Sequence, residues 1–281
     1  MPLLDWDPTQ VEVAERSDVG QVRKANQDAV AEVRAAQPEI RALIVADGMG
    51  GHRGGEVASR LAVETLTQKL ETGAAAPEEA LRVGFETANA RVYEAGGRDP
   101  ALLGMGTTLV CLLLDASGGA WVGHVGDSRA YRLRDGRLEL LTDDHSVVGE
   151  LLRAGRISSE EARVHPQRNE LLRAIGTQPT VLMDVQSVEV RAGDRFLLCS
   201  DGLTSMVPDS EIAEIAALPE LERAAQALVD RANAEGGLDN VTVQLVRIPG
   251  IGAAASGTRA LGWWIAAGAS ALALGLWWAL R

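Results

Sequence analysis

The strongest constraint on this chain is where its aspartates fall relative to its apolar runs. Leu43 to Ala46 leads straight into Asp47-Gly48, and Phe196 to Ser200 leads into Asp201-Gly202. Trp121 to Gly126 runs into Asp127-Ser128, while Asp239-Asn240 opens the run from Val241 to Val246. An apolar strand that meets an acid places the carboxylate at a sheet end, close to the core. Carboxylates gathered in such a place repel one another unless a cation joins them. Hard divalent ions with oxygen ligands, Mg²⁺ or Mn²⁺, suit that donor set. Asp-Gly is also an ordinary turn dipeptide, and Asp135-Gly136 reads as a hairpin turn between alternating flanks. Asp47 and Asp201 differ because a short, strongly apolar run precedes each and no matching strand follows at once.

Periodicity predicts strands over 11–17, 29–35, 40–46, 108–114, 120–125, 129–141, 185–191, 194–200 and 240–248. Val57, Leu61, Leu66 and Leu70 follow a helical face, as do Leu81, Phe85, Ala88 and Val92. Further helices are expected near 209–217 and 220–235, with a polar, partly helical stretch over 144–180. Strand clusters separated by helix pairs predict an α+β fold with antiparallel sheet under helices. The glycine-rich stretch from Gly48 to Gly55 is neither a dinucleotide fingerprint nor a P-loop, since Arg53 breaks the first pattern and no Gly-Lys-Ser/Thr follows.

The net charge is −12, and the only charges beyond residue 249 are Arg259 and Arg281, so residues 1–249 carry −14. A body this acidic, without a Lys/Arg cluster, is a poor phosphate-backbone binder, and no nucleic-acid partner is expected. Cys111 and Cys199 sit inside apolar runs and read as small buried hydrophobes of a reducing compartment. The first residues carry acids where a secretory signal needs bases.

Residues 249–260 read as a Pro/Gly/Ala/Ser linker. Residues 261–280 follow without one charge, with Trp263-Trp264 and Trp277-Trp278 near the two ends. Twenty helical residues span roughly 30 Å, a bilayer core, and tryptophans favour its interfaces. The expectation is one C-terminal transmembrane helix that tethers domain 1–248 to the cell membrane, with the domain on the cytoplasmic side. A buried core helix is the competing reading.

Eight ordered blocks then carry a resemblance: VRKANQD (22–28), VADGMGGHRGGEVAS (45–59), GMGTTLV (104–110), VGDSRAY (125–131), LTDDHS (141–146), NELLRAIGT (169–177), LLCSDGLTSMV (197–207) and GLDNVTVQLV (237–246). Together they resemble the metal-dependent serine/threonine protein phosphatases of the 2C type in their bacterial form, over about residues 11–248. The resemblance implies a sandwich of two antiparallel sheets flanked by helices, with two Mn²⁺ or Mg²⁺ ions in a cleft between the sheets. It implies that Asp47 bridges both ions, that Gly48 offers its carbonyl to one, and that Asp201 and Asp239 bind the other. Asp28 then acts through water, Asp127 and Asp201 hold a third, weaker ion, and Arg23 binds the substrate phosphate. The implied reaction is hydrolysis of phosphoserine and phosphothreonine in proteins by a metal-activated water, opposing a serine/threonine kinase as natural partner.

The sequence departs from the family pattern at three places. Gln27 stands where many relatives have glutamate, Met49 where some have a histidine proposed as general acid, and Ser205 where some have another acid. His52 is one candidate for the unassigned acid, and a metal-bound water is the alternative. The stretch 146–170, with Arg153, Arg156 and Arg163, resembles the family's mobile flap, and its bland reading is a solvated subdomain. His145 resembles a structural histidine, while His124 and His165 have no assigned role. Two other functions compete. A non-catalytic phosphoprotein-binding module on the same fold is disfavoured because the four principal metal positions keep their oxygen ligands. A serine hydrolase using Ser128 fails because Ala130 breaks G-x-S-x-G and no histidine follows His165.

Overall fold

Each central strand buries both of its faces, which is why these segments read as continuous apolar runs rather than as alternating ones. Strand β3 (Glu39–Met49) sends Ala42, Ile44 and Ala46 into one core and Leu43 and Val45 into another. Strand β5 (Leu109–Asp115) does the same, with Leu109, Cys111 and Leu113 on one side and Val110, Leu112 and Leu114 on the other. Layers on both faces of a sheet demand this pattern. The computed structural model describes residues 11–36, 39–50, 53–72 and 76–249.

Two antiparallel sheets stack face to face. One runs β1 (Glu12–Asp18), β11 (Val241–Arg247), β10 (Arg195–Cys199), β7 (Arg129–Arg134), β8 (Arg137–Leu140). The other runs β2 (Asp28–Ala36), β3, β5, β6 (Ala120–Val125), β9 (Asp184–Val188), with the short β4 (Gly106–Thr107) paired to the end of β3. Between them Leu43, Val45 and Leu112 meet Phe196, Leu198 and Val246. Helices α1 (Gly54–Thr72) and α2 (Pro77–Arg98) cover the second sheet through Leu66, Leu70, Leu81 and Phe85. Helices α5 (Asp201–Thr204), α6 (Asp209–Ala216) and α7 (Leu221–Ala234) cover the first through Leu203, Ile212 and Leu228. The result is the expected α+β sandwich of four layers. Helices α3 (Val147–Arg153) and α4 (Ser159–Val164) belong to the excursion between β8 and β9, and α4 starts with a full capping box at Ser158 and Glu161.

Asp135 and Gly136 adopt φ of 50° and 76°, a two-residue hairpin turn with both residues left-handed, as that Asp-Gly pair implies. Two expectations shift. Strand β3 does not stop at Asp47 but runs on through Gly48 and Met49, which pair with Thr107 and Gly106 of β4. Strand β9 ends at Val188 rather than 191, because the Glu189 carbonyl accepts from Arg132 and Arg134 instead of a ladder partner.

The described residues, through Pro249, form one compact unit. The apolar segment 261–280 and all but Pro249 of the 249–260 stretch lie outside the described residues, as does His52. Among the described residues, no helix is long and apolar enough to cross a membrane.

Candidate metal centre

The strand register brings the first two carboxylates together: Asp28 of β2 stands opposite Asp47 of β3. The backbone of Asp47 is locked on every side. Its N–H donates to Thr108 Oγ1 at 2.8 Å, and its carbonyl accepts from the Thr108 N–H at 2.9 Å and from Thr107 Oγ1 at 2.8 Å. The next residue, Gly48, donates to the Gln27 carbonyl at 3.1 Å. A side chain at Gly48 would put its Cβ 2.1 Å from the Gly55 carbonyl oxygen, so α1 can begin this close only over glycine.

Asp201 comes from the other sheet, at the first turn of α5 just past β10. Gly202 lets that turn press on β11, since a Cβ there would lie 2.0 Å from the Asn240 carbonyl. Asn240 ties the 19–27 loop to β11: Oδ1 accepts from the Gln27 N–H, and Nδ2 donates to the carbonyls of Val19 and Ala25. Asp239 is thereby held beside that loop, where its Oδ2 accepts from Arg23 at 2.6 Å. Asp28 accepts from Ser200 Oγ at 2.8 Å through Oδ2.

Burial first, and then the repulsion of Asp28, Asp201, Asp127 and Asp239, push the Asp47 carboxyl well above the usual carboxylate range. Asp28 is pushed up to about 7, chiefly by burial, against the opposing hydrogen bonds of Thr242 and Ser200. Asp127 is raised well above its ordinary value by burial, then by Asp201 and Asp144. Burial and Asp239 raise Asp201. Asp28 Oδ1 and Asp201 Oδ1 are buried with no hydrogen-bond partner among the described residues. Five carboxylates that repel one another, two with orphaned oxygens, form a donor set that divalent cations of the Mg²⁺ or Mn²⁺ kind fit.

The structure thus gathers Asp28, Asp47, Gly48, Asp127, Asp201, Asp239 and Arg23 in one region. Arg23 is not a free surface residue but the ion-pair partner of Asp239, with its side chain about half exposed. Beside Asp127 and Asp201 opens a cavity of about 480 Å³, walled by Val148, Leu152 and Arg163 of the 146–170 excursion. Ser205 lines it too. Ser200, Thr108 and Asn240 support the acids, and sequence reasoning missed them. Ser200 and Asn240 each adjoin a predicted aspartate, which was the one available signal. Arg129 was missed as well. It grips Asp144 through two nitrogens, at 2.9 and 2.7 Å, on the cavity wall.

A second cluster, His124, His145 and Asp184, has metal-ligand composition and atoms within 4.8 Å of one another. The imidazoles stack at 4.6 Å. His145 Nδ1 accepts from the Gly126 N–H at 3.2 Å, so the neutral ring carries its proton on Nε2, facing Asp184. His124 Nε2 donates to the Asp143 carbonyl. Arg173 Nη1 lies 3.2 Å from His145 Nε2 and, with the proton on Nε2, donates to Asp184 Oδ1 at 3.2 Å rather than to the ring. With the tautomers set this way and a guanidinium in place, the cluster is a polar joint between β6, β9 and the base of the excursion.

The fold and the acid cluster define a class, and comparisons agree. The protein phosphatase 2C family profile matches residues 20–247. The serine/threonine phosphatase Stp of Listeria monocytogenes is 44% identical over 239 residues, covering 82% of this chain and 93% of that protein. The crystal structure of Staphylococcus aureus serine/threonine phosphatase Stp1 superposes with a TM-score of 0.81 at 35% identity, over 86% of this chain and 96% of that one. The catalytic domain of the serine/threonine protein phosphatase PstP, solved with two manganese ions, gives a TM-score of 0.74 at 37% identity, over 85% and 98%. This chain belongs to the protein phosphatase 2C family and is a protein phosphatase.

Proposed function

We propose that this chain hydrolyses phosphoserine and phosphothreonine in proteins, using Mn²⁺ or Mg²⁺ held by the aspartate cluster. The observation that carries the reading is the set of five mutually repelling carboxylates, with orphaned oxygens on Asp28 and Asp201. Asp47 and the Gly48 carbonyl, with Asp201 and Asp239, would hold the ions directly, Asp28 would act through water, and Asp127 with Asp201 would hold a third ion. When bound, such ions supply Lewis-acid activation of a water near neutral pH and balance phosphate charge.

The chain's own residues do the rest. Asp239 engages Nη2 of Arg23, which fixes the guanidinium at the rim of the cluster. The remaining donors of that planar fork bind and orient phosphate oxygens and stabilise charge that develops on them. The Asn240 bonds to both ends of the 19–27 loop hold Arg23 in register with Asp239. Gln27 is neutral, so it adds no carboxylate to the cation charge balance.

We also assign 261–280 as a single-pass anchor that places the phosphatase on the cytoplasmic face of the cell membrane, opposite a serine/threonine kinase acting on the same proteins. Its uninterrupted apolar length and tryptophan-bearing ends support this. Flotation of the full chain with phospholipid vesicles tests it, and Leu272→Arg with Leu274→Arg is expected to abolish flotation.

The catalytic reading is tested by phosphate release from a phosphothreonine peptide by the full chain with Mn²⁺, with chelator, and as Asp47→Asn. Metal-dependent release that falls by at least about a hundredfold in the variant is expected. A folded, metal-loaded chain with no turnover would instead favour the phosphoprotein-binding module.

A further inference from the structure

Two large apolar side chains stand exposed beside the Arg23–Asp239 pair, and they come from opposite ends of the domain. Val22 is 61% exposed and Leu238 is 52% exposed. Single exposed apolar residues are ordinary on a protein surface. These two differ because backbone bonds hold their segments against each other. The Gln21 N–H donates to the Gly237 carbonyl at 2.8 Å. Two residues further along each segment, Arg23 meets Asp239 at 2.6 Å. Val22 and Leu238 are therefore bracketed between a backbone hydrogen bond and an ion pair. There is no slack in the arrangement, since a Cβ on Gly20 would lie 2.2 Å from the Asp239 carbonyl oxygen. Asn240 pins the loop at Val19 and Ala25, on either side of Val22.

We infer that Val22 and Leu238 form a preformed apolar contact for a side chain within two positions of the phosphoserine or phosphothreonine of a peptide substrate. The inference rests on the role of Arg23 as the phosphate-binding group. Successive Cα atoms lie about 3.8 Å apart in substrate and enzyme alike. A phosphate held at Arg23 thus brings the neighbouring substrate residues past the side chain that precedes Arg23. Two exposed apolar side chains on backbone tied in this way offer apolar area that a substrate side chain can cover, which favours Leu, Ile, Val or Met there. Specificity then comes from flanking residues, while the acid cluster and Arg23 treat every phosphomonoester alike.

The experiment compares phosphothreonine peptides with a Gly/Ser background and a single Leu at −2, −1, +1 or +2, using the full chain with Mn²⁺. Wild type is expected to show about a tenfold higher kcat/KM for at least one Leu peptide over the all-polar peptide, carried mainly by KM. In the Val22→Ser, Leu238→Ser double variant, the ratio between those two peptides is expected to fall to about one. General damage to the enzyme lowers both peptides equally and cancels from the ratio. Equal turnover of all peptides by wild type overturns the inference while leaving the phosphatase intact, as does a preference that survives in the double variant. Release of phosphate from no peptide overturns the phosphate-site reading itself, and this inference with it.

Discussion

Asp28 and Asp47 stand opposite each other on adjacent antiparallel strands, and Asp28 keeps one buried oxygen without a hydrogen-bond partner among the described residues. Cross-strand neighbours of like charge destabilise a sheet. This pair is held in place by the β2–β3 ladder on one side and by the Gly48 N–H bond to the Gln27 carbonyl on the other, so the metal-free fold carries an electrostatic strain that cation binding relieves.

That strain has a defined pH dependence. The folded-state pKa of Asp28 is raised to about 7 from 3.8, so the folded chain holds a proton that the unfolded chain has released. Stability from this group is fully present below the unfolded value and is lost as pH rises from about 4 to about 7. The shift in Tm produced by Mn²⁺ is therefore expected to grow as pH rises through that window. Thermal unfolding with Mn²⁺ and with chelator, across pH, checks it.

Arg23 and a cation compete for Asp239. Arg23→Ala removes a positive charge from the rim and frees Asp239 Oδ2. The variant is expected to bind Mn²⁺ more tightly than wild type while losing about ten- to hundredfold in kcat/KM on a phosphopeptide. Titration calorimetry and steady-state kinetics read the two effects separately, and a joint loss of both would overturn the assignment.

Gly202→Ala drives a Cβ to 2.0 Å from the Asn240 carbonyl oxygen, where backbone faces backbone. A destabilisation of about 2 kcal/mol is expected, or about 4–8 °C in Tm, with Asp201 displaced from the cluster. Weakened Mn²⁺ affinity should accompany the lower Tm.

The stacked histidines act in the opposite pH direction. Burial holds His124 below its ordinary pKa, and burial followed by the neighbouring His124 does the same for His145. Their contribution is present above the unfolded value of 6.5 and is lost as pH falls below it. His124→Gln is expected to flatten the acid-side fall in Tm of the Mn²⁺-loaded chain between about pH 6.5 and 5. An unchanged acid limb would show that other groups set it.

Much of the architecture was legible from local pattern. Apolar runs marked the strands, the 4-3-4 spacing of Leu81, Phe85, Ala88 and Val92 marked α2, and Asp135-Gly136 marked the hairpin. Strand ends were less legible. Whether β3 stops at Asp47 or runs on to Met49 depends on β4, two residues more than fifty positions away that supply the ladder partners.

Burial of apolar area is written residue by residue, so the order of residues shows which segments are buried and that acids sit at their ends. That order also carries the motifs that identify the family. Which acids meet is set by contacts between segments far apart in the chain. Asp28 faces Asp47 through strand register, Asp201 reaches them because Gly202 packs on Asn240, and Arg23 pairs with Asp239 across 216 positions of chain. Contacts of that kind depend on how two sheets stack and on loops tied by Asn240. Strand pairing and loop closure are properties of the whole chain, and no local window contains them.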